Sequence, residues 1–584
     1  MHRPLRFFTT SPLCVGAFGL VCSLLFLPAP GSSQSCATDP ETIAPIAASP
    51  TNPRYLAYKG KTAALIGVSH EYTCHILQPE RNSLYCTLAN YPTVFSTLNT
   101  RKNTVIRLWA AFNHSPGRDF QARKSPPGPD VPFANEHPFK YANGKWDLNV
   151  VDSPDINLTN LNVTYFNNLE AVVREAFCKD IIVELTLLDP WDGEWSLGPF
   201  HVANTVGGIG FGAKRQFLSF ENLSTKQDVS DPVKKARTAQ RVAVTHLVQR
   251  LKKYPNVIWE VANEADLMLS GVTPAQVTDF QKTVVGWIRA NDNPFPRNHP
   301  IMVNGHQTGA FAWNVPYATL NSLHYASNSA AGVYGAIELM RDADPTLQAA
   351  RANYGMAFNE NKALGITEPE VLFPTDADDV RSEAWEFSCA GGALFDAFSV
   401  NRSAPQAVAA TTQLGILRQF LRKDGAINSG NYIWSLASMQ QTSCNGGSDW
   451  CRNVPGWGSE NSACPEFPTR TVFNYWSAFR SASQYVIYLH HGSVTNRPGN
   501  DGNPFLRYDA KVCSEARYRE SGFQLRVSQG GCWRVSWIRP KDGVVLSSQN
   551  SNLAAGAWYA KPSPSYNHDI VMLASKLQNN QCGS

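Results

Sequence analysis

The stretch NVIWEVANEADL, residues 256–267, decides how the chain is read. Val257, Ile258, Trp259 and Val261 are types that suit a pleated, buried sheet, so a strand is expected over 256–262. Glu260 interrupts this apolar run, and Asn263-Glu264 follows it directly. A carboxyl group taken into a core is costly unless it is paired or used. The stretch therefore reads as core strand and chemistry at once.

Working outward, strand-like and helix-like segments alternate on both sides of it. TAALIGVSH (62–70), TVIRLWAAF (104–112) and IIVELTLLD (181–189) precede it as strands. Helical stretches are expected near 93–101 and 160–178, and Val244, Leu247, Val248 and Leu251 recur at i, i+3, i+4, i+7. After it, Thr273-Pro274-Ala275-Gln276 has the form of a capping box with proline at the first helical position. Val277, Phe280, Val284, Trp287 and Ile288 then share one helix side. PIMVNG (300–305), LNSLHYA (320–326), YGMAFNE (354–360) and GNYIWSL (430–436) complete eight strand candidates. Eight such units suggest an α/β fold, a (β/α)8 TIM barrel, with an open doubly wound sheet as the rival. Long loops follow several strand ends, where a barrel keeps its active site.

From about residue 481 the texture changes. QYVIYLHHG, GFQLRVSQGGCWRVSWIRPKDGVVLSS and HDIVMLASK alternate apolar and polar residues, and PKDG is a hairpin turn. The expected organisation is a leader over 1–35, a barrel over 36–480 and a small all-β sandwich over 481–584.

The leader is read from Arg3 and Arg6, an apolar run reaching Leu27, and small or polar residues from Pro28 to Cys36. This is the layout of a secretory signal peptide, with an uncleaved anchor as the alternative. A secreted protein, extracellular or periplasmic, is expected. Of 13 Cys, Cys14 and Cys22 leave with the leader, so an odd number remains. Cys74 with Cys86, Cys444 with Cys451 or Cys464, and Cys513 with Cys532 are close enough for local disulfides. Cys178 and Cys389 lie in helix-like segments and read as buried thiols.

Composition narrows the function. Over 584 residues, 43% are hydrophobic, 17% are charged and the net charge is +4, which describes a globular chain. No long basic run points to nucleic acid or an anionic membrane. The chain carries 15 Trp, 20 Tyr and 29 Phe; most belong to the core, and a few in loops offer stacking faces for a sugar ring. GGIGFGAKR (207–215) lacks the Gly-Lys-Ser/Thr of a phosphate loop and is expected to be a mobile loop at the active site. There is no His-Glu-x-x-His and no Gly-x-Ser-x-Gly, so neither metal nor other cofactor is expected.

Glycoside hydrolysis answers the opening question, because it needs two carboxyl groups flanking one bond. Asn263 offers a donor and an acceptor to a sugar hydroxyl. Glu264 supplies one carboxyl, and Glu360, ending the run YGMAFNE, supplies the other; Glu368 and Glu370 are its nearby substitutes.

NVIWEVANEA resembles the fourth-strand signature of clan A glycoside hydrolases, in which Asn-Glu carries the acid/base. The resemblance implies a nucleophilic Glu at the end of the seventh strand, here matched to Glu360 in NENKALG, which lacks the aromatic-Gly ending common in that clan. TVIRLWAAF resembles the second strand, whose Arg supports the nucleophile, giving Arg107. SLHYAS resembles the sixth strand, giving His324 and Tyr325. NPRYLAYKGKTAALIGVSH, FHVANTVGGI and EAWEFSCAGGALFDAF resemble bacterial cellulase-like proteins of this clan, which carry a C-terminal collagen-binding-like sandwich.

The implied activity is retaining hydrolysis of a poly- or oligosaccharide. Glu264 protonates the leaving oxygen while Glu360 attacks the anomeric carbon, and water then resolves the glycosyl-enzyme. Such enzymes hold the two carboxyls roughly 5–5.5 Å apart. Glu260 is expected to hold neighbouring groups by hydrogen bonds. His70, His306, His324 and Tyr325 at strand ends, with Trp191 and Trp434, are candidates for substrate contact, each with a plain packing role as the alternative. A glycan-binding barrel without activity and a transglycosylase using the same residues remain open.

Overall fold

In the computed structural model the described residues are 36–69 apart from 37, 91–110, 137–190 apart from 143, 198–218, 231–265, 272–292, 298–305, 315–324, 362–368, 377–397 apart from 390, 404–423, 450–452, 473–498 apart from 482, 504–509, 519, 523–578 and 581–582. Short apolar runs form the strands. β1 (Leu65–Ser69), β2 (Val105–Trp109), β3 (Ile182–Thr186), β4 (Val257–Glu260), β5 (Ile301–Gly305) and β6 (Leu320–His324) follow the expected order. β7 (Ala363–Glu368) and β8 (Leu394–Ala397) complete a closed parallel barrel in chain order. β8 pairs with β1 through Leu394 opposite Leu65 and Ala397 opposite Val68, which closes the ring.

The last two strands differ from expectation. YGMAFNE (354–360) was read as the seventh strand, but that place is taken by ALGITE, with Leu320 opposite Ala363 and His324 opposite Glu368. LFDA takes the eighth place that GNYIWSL (430–436) was expected to fill. Residues 354–360 and 430–436 themselves lie outside the described residues.

Helices form where capping and periodicity agree. α1 (Tyr91–Thr100) follows β1, and α2 (Val163–Cys178) starts at Asn162, whose side chain caps Tyr165 N. Asn162 is thus a buried cap. α3 (Pro232–Leu251) is capped by Asp231 and buries Val244, Leu247, Val248 and Leu251 against the barrel. Before α4 (Pro274–Asp292), Thr273 N donates to Gln276 Oε1 at 2.8 Å and Gln276 N donates back to Thr273 Oγ1 at 3.3 Å. That is the reciprocal capping box read from the sequence. α5 (Ala377–Cys389) and α6 (Ala404–Lys423) follow β7 and β8.

In the segment 207–215, expected to be a mobile loop at the active site, Ile209, Gly210, Phe211 and Lys214 are buried while Gly207, Gly212 and Arg215 are exposed. Phe211 is buried with Phe200 and Phe217, and the Arg237 guanidinium lies 4.7 Å from the Phe211 ring centre while donating to the Phe217 and Gln216 carbonyls. Three rings sharing one core cluster hold this loop against the helix layer.

The C-terminal region is built of antiparallel sheets. β9 (Trp450–Arg452) pairs with β13 (Phe523–Arg526), which pairs with β16 (Trp558–Ala560). The larger sheet runs β10 (Phe473–Ser481), β11 (Gln484–Pro498), β17 (Asp569–Lys576), β14 (Gly531–Arg539), β15 (Val544–Leu553), with β12 (Pro504–Asp509) also paired to β11. The PKDG turn joins β14 to β15, with Gly543 at φ +71°, a conformation glycine adopts without strain. Phe523 packs edge-on to Trp537 at 5.2 Å in a core shared by the two sheets.

The large sheet is joined to the barrel through α5. Arg381 is buried and donates from Nε and Nη2 to Asp569 at 2.7 and 3.1 Å, while Tyr488 donates to the same carboxylate at 3.0 Å. Trp385 stacks on Tyr488 with ring centres 5.8 Å apart. Val486, Tyr488, Ile538, Val571 and Leu573 belong to the same apolar cluster as the barrel residues.

The two disulfides among the described residues are long-range. Cys36 bonds Cys178 and Cys532 bonds Cys582. This overturns the expected Cys513–Cys532 pair and the reading of Cys178 as a thiol, whereas Cys389 is a buried free thiol as expected. Cys74, Cys86, Cys444, Cys464 and Cys513 lie outside the described residues. No described helix is long and apolar enough to cross a membrane.

Candidate active site

The site is built on adjacent barrel strands. Arg107 of β2 pairs in register with Glu184 of β3, and Thr186 of β3 pairs with Glu260 of β4. Side chains from β2, β3, β4 and β5 converge on Glu260, a meeting that the concave side of a closed barrel permits. Arg107 donates from Nε to Glu260 Oε2 at 2.7 Å and from Nη2 to Glu260 Oε1 at 2.6 Å. Thr186 Oγ1 and Asn304 Nδ2 donate to the same carboxylate. Arg107 and Glu260 are both fully buried, where an ion pair must be well hydrogen-bonded to offset desolvation. The guanidinium also lies 4.0 Å from the Trp109 ring centre, a cation–π contact.

From this pair the order passes to the end of β4. Arg107 Nη2 donates to Asn263 Oδ1 at 2.9 Å, and Asn263 Nδ2 donates to Asp189 Oδ1 at 3.3 Å. The Asn263 backbone N–H donates to Leu188 O at 2.9 Å. The Glu264 N–H donates to Asn304 Oδ1, also at 2.9 Å. Asn304 therefore ties the end of β5 to Glu260 and to Glu264 together. Glu264 is 6% exposed and sits at φ +41°, a left-handed conformation that a non-glycine residue holds only when its surroundings impose it. Its carboxyl is thereby carried at the mouth end of β4 by a strained turn gripped at both sides.

Glu184 lies behind the pair and is fully buried. Its carboxyl is pushed well above the ordinary range, first by burial, then by the negative charge of Glu260, with Arg107 opposing and Asp396 of β8 adding to the rise. Arg107 Nε approaches Glu184 Oε1 at 3.2 Å while donating to Glu260 Oε2 at 2.7 Å.

Of the residues expected from the sequence, the structure joins Arg107, Asn263, Glu260 and Glu264 in one hydrogen-bonded group. Arg107, expected to support a nucleophile, is bonded to Glu260 and Asn263. His324 ends β6, and the residue opposite it at the end of β7 is Glu368. Glu368 thus occupies the strand-end position to which Glu360 was matched. Glu360, His70, His306, Tyr325, Trp191 and Trp434 lie outside the described residues. Asn304, Thr186 and Glu184 went unread in the sequence; a polar residue inside an apolar run, as in IMVNG and IVELT, was the available sign. Among the described residues no cluster of His, Cys, Asp and Glu could hold a metal.

Residues 135–379 match the family model described as cellulase (glycosyl hydrolase family 5). No curated protein matches the chain at a significant level. Among solved structures, the chain is similar to a glycoside hydrolase at 12% identity and a TM-score of 0.49, covering 92% of this chain and 98% of that one. A family 5 glycoside hydrolase from Bacteroides vulgatus ATCC 8482 is 11% identical with a TM-score of 0.49, over 93% and 97% of the two chains. An endo-1,4-beta-mannanase from Rhizomucor miehei is 14% identical with a TM-score of 0.42, over 65% of this chain and 100% of that one. Likeness this distant carries no argument about substrate.

Proposed function

We propose that the chain is a clan A glycoside hydrolase of the cellulase-like kind, a secreted retaining enzyme in which Glu264 is the acid/base and Glu368 the nucleophile. The observation that carries this reading is the strained, doubly held turn at Glu264 beside the Arg107–Glu260 pair. Strain of this kind persists where the surrounding structure over-determines it, and active sites are where it clusters.

The mechanism follows from the two positions. Glu264 gives its proton to the glycosidic oxygen as the bond to the anomeric carbon breaks. Glu368 attacks that carbon from the opposite side and forms a glycosyl ester. Glu264, now a carboxylate, takes a proton from water, which attacks the same carbon and frees Glu368. Glu368 is preferred to Glu360 because it ends β7, two barrel neighbours along from β5, in register with His324. The substrate class is a plant or microbial polysaccharide, in keeping with the cellulase match. The leader over 1–35 and the Cys36–Cys178 bond favour an oxidising compartment outside the cytoplasm.

The test is a screen of aryl glycosides and plant polysaccharides with the wild type, Glu264→Ala, Glu368→Ala and Glu360→Ala. Loss of activity in the first two variants, azide rescue in Glu368→Ala, and a Glu360→Ala close to wild type support the assignment. Full activity in Glu368→Ala, or azide rescue in Glu360→Ala, overturns it.

A further inference from the structure

The barrel interior holds more carboxyl groups than the described cations can match. Glu184 and Glu260 both face one guanidinium, that of Arg107, and the Asp396 charge also acts on Glu184. Glu260 takes the bidentate fork of Arg107 and also accepts from Thr186 and Asn304, so it is the carboxylate of the group. Glu184 is different: it is fully buried, and neither of its side-chain oxygens accepts a hydrogen bond from any described donor. Its carboxyl and that of Glu260 flank the same Arg107 Nε, at 3.2 and 2.7 Å, so the two lie side by side. Two carboxyl groups in such contact attract only if a proton lies between them. Glu260 already accepts from three side chains, so the proton belongs to Glu184.

We propose that Glu184 is a positioning residue: a buried carboxylic acid that keeps its proton and donates it to Glu260, leaving Glu260 free to hold Arg107, Thr186 and Asn304 behind Asn263-Glu264. The positioning role rests on Glu264 being the acid/base; the protonation does not. An ionised Glu184 would place a second charge beside Glu260, and the one guanidinium would be divided between them. Arg107 would then be drawn from Asn263, and Asn304 from the Glu264 turn. The upward push on the Glu184 carboxyl from burial and from Glu260 agrees with this arrangement.

The sign of the pH effect is fixed by that push. Glu184 titrates higher in the folded chain than its unfolded value of about 4.3, so above that pH the folded chain binds one proton more than the unfolded chain. The stability it contributes is complete below the unfolded value and is lost as pH rises toward the folded one.

The test compares wild type, Glu184→Gln and Glu184→Leu in the full chain. Infrared difference spectra in D2O at pH 7 should show a protonated-carboxyl C=O band in the wild type that Glu184→Gln lacks. The melting temperature of the wild type should fall with pH between 5 and 8 relative to Glu184→Gln, by a slope equal to one proton. Gln keeps an N–H donor toward Glu260, so its kcat/KM should stay near the wild type and its alkaline limb should flatten. Leu removes the donor and should lower kcat/KM by about tenfold, the worth of one buried hydrogen bond. Absence of the band, or equal pH slopes, overturns the proton assignment. Equal activity in Gln and Leu variants overturns the positioning role. If Glu264→Gln keeps full activity, the acid/base reading fails by itself, and the band and slope still decide the state of Glu184.

Discussion

Arg107 and Glu260 form a two-point contact across the inside of the barrel, with parallel N–H···O distances of 2.7 and 2.6 Å and no solvent exposure on either side. Removing one partner leaves the other as an uncompensated buried charge, a loss of about 3–5 kcal/mol. Arg107→Met is expected to lose that much in urea unfolding. Arg107→Lys should also be damaging, because a point charge cannot reproduce the planar fork that reaches Glu260 and Asn263 together.

The turn at Glu264, the proposed acid/base, is expected to separate activity from stability. Glu264→Gln should lower turnover by roughly 10²–10⁴-fold, the range of a general acid/base, with little change in unfolding midpoint. Glu264→Gly should be at least as stable as Glu264→Ala, because only glycine occupies φ +41° without a Cβ penalty; a difference of about 1 kcal/mol is expected. An alanine variant more stable than the glycine one would mean that the turn is not strained.

The Cys36–Cys178 bond ties the segment before β1 to the end of α2 over a separation of 142 residues. In the chain-entropy account a loop of this length is worth roughly 5 kcal/mol. Cys178→Ala should show a lower melting temperature than the oxidised wild type, and reducing agent should lower the wild type toward the variant. Mass spectrometry of an unreduced tryptic digest should recover the Cys36 and Cys178 peptides joined.

Acid sensitivity should lie at the barrel–sheet junction. Burial alone would raise Asp378, but the charge and hydrogen bond of Arg381 outweigh it and hold the carboxyl below its ordinary value. A lowered folded-state value gives stability that is present above the unfolded value of about 3.9 and lost as pH falls through the folded one. Arg381→Met should lose this acid-side dependence. It should also be less stable at pH 7, because Asp378 and Asp569 lose their buried cation. Equal acid limbs in the two proteins would count against this account.

Much of the barrel was legible because apolar runs such as NVIWE and TVIRLW are short and rich in β-branched and aromatic residues, as buried strands are. The seventh strand was misread because two runs eight residues apart both end in Glu. YGMAFNE has the aromatic content that favours a strand, while ALGITE carries Ala and Gly, which do not. Barrel closure selected between them, and closure is a property of all eight strands that no single run displays. The Cys513–Cys532 pairing failed for a related reason: spacing favours near neighbours, whereas Cys532 meets Cys582 across 50 residues and Cys36 meets Cys178 only after α2 is packed. The interior network was half visible. Glu260 announced itself inside an apolar run, but Asn304 and Glu184 acquire meaning only when β3, β4 and β5 lie side by side.

The contact between α5 and the large sheet bears on heredity and on engineering. Arg381 and Asp569 lie 188 residues apart, and together with Trp385 and Tyr488 they are buried at one contact. A gene fragment ending after α6 would leave Trp385 facing water and Arg381 without its Asp569 partner. Recombination that exchanges the C-terminal region for that of a distant relative meets the same obstacle unless both faces change together. The sheet is therefore to be transferred or redesigned together with the barrel face it covers, and not as an interchangeable appendage.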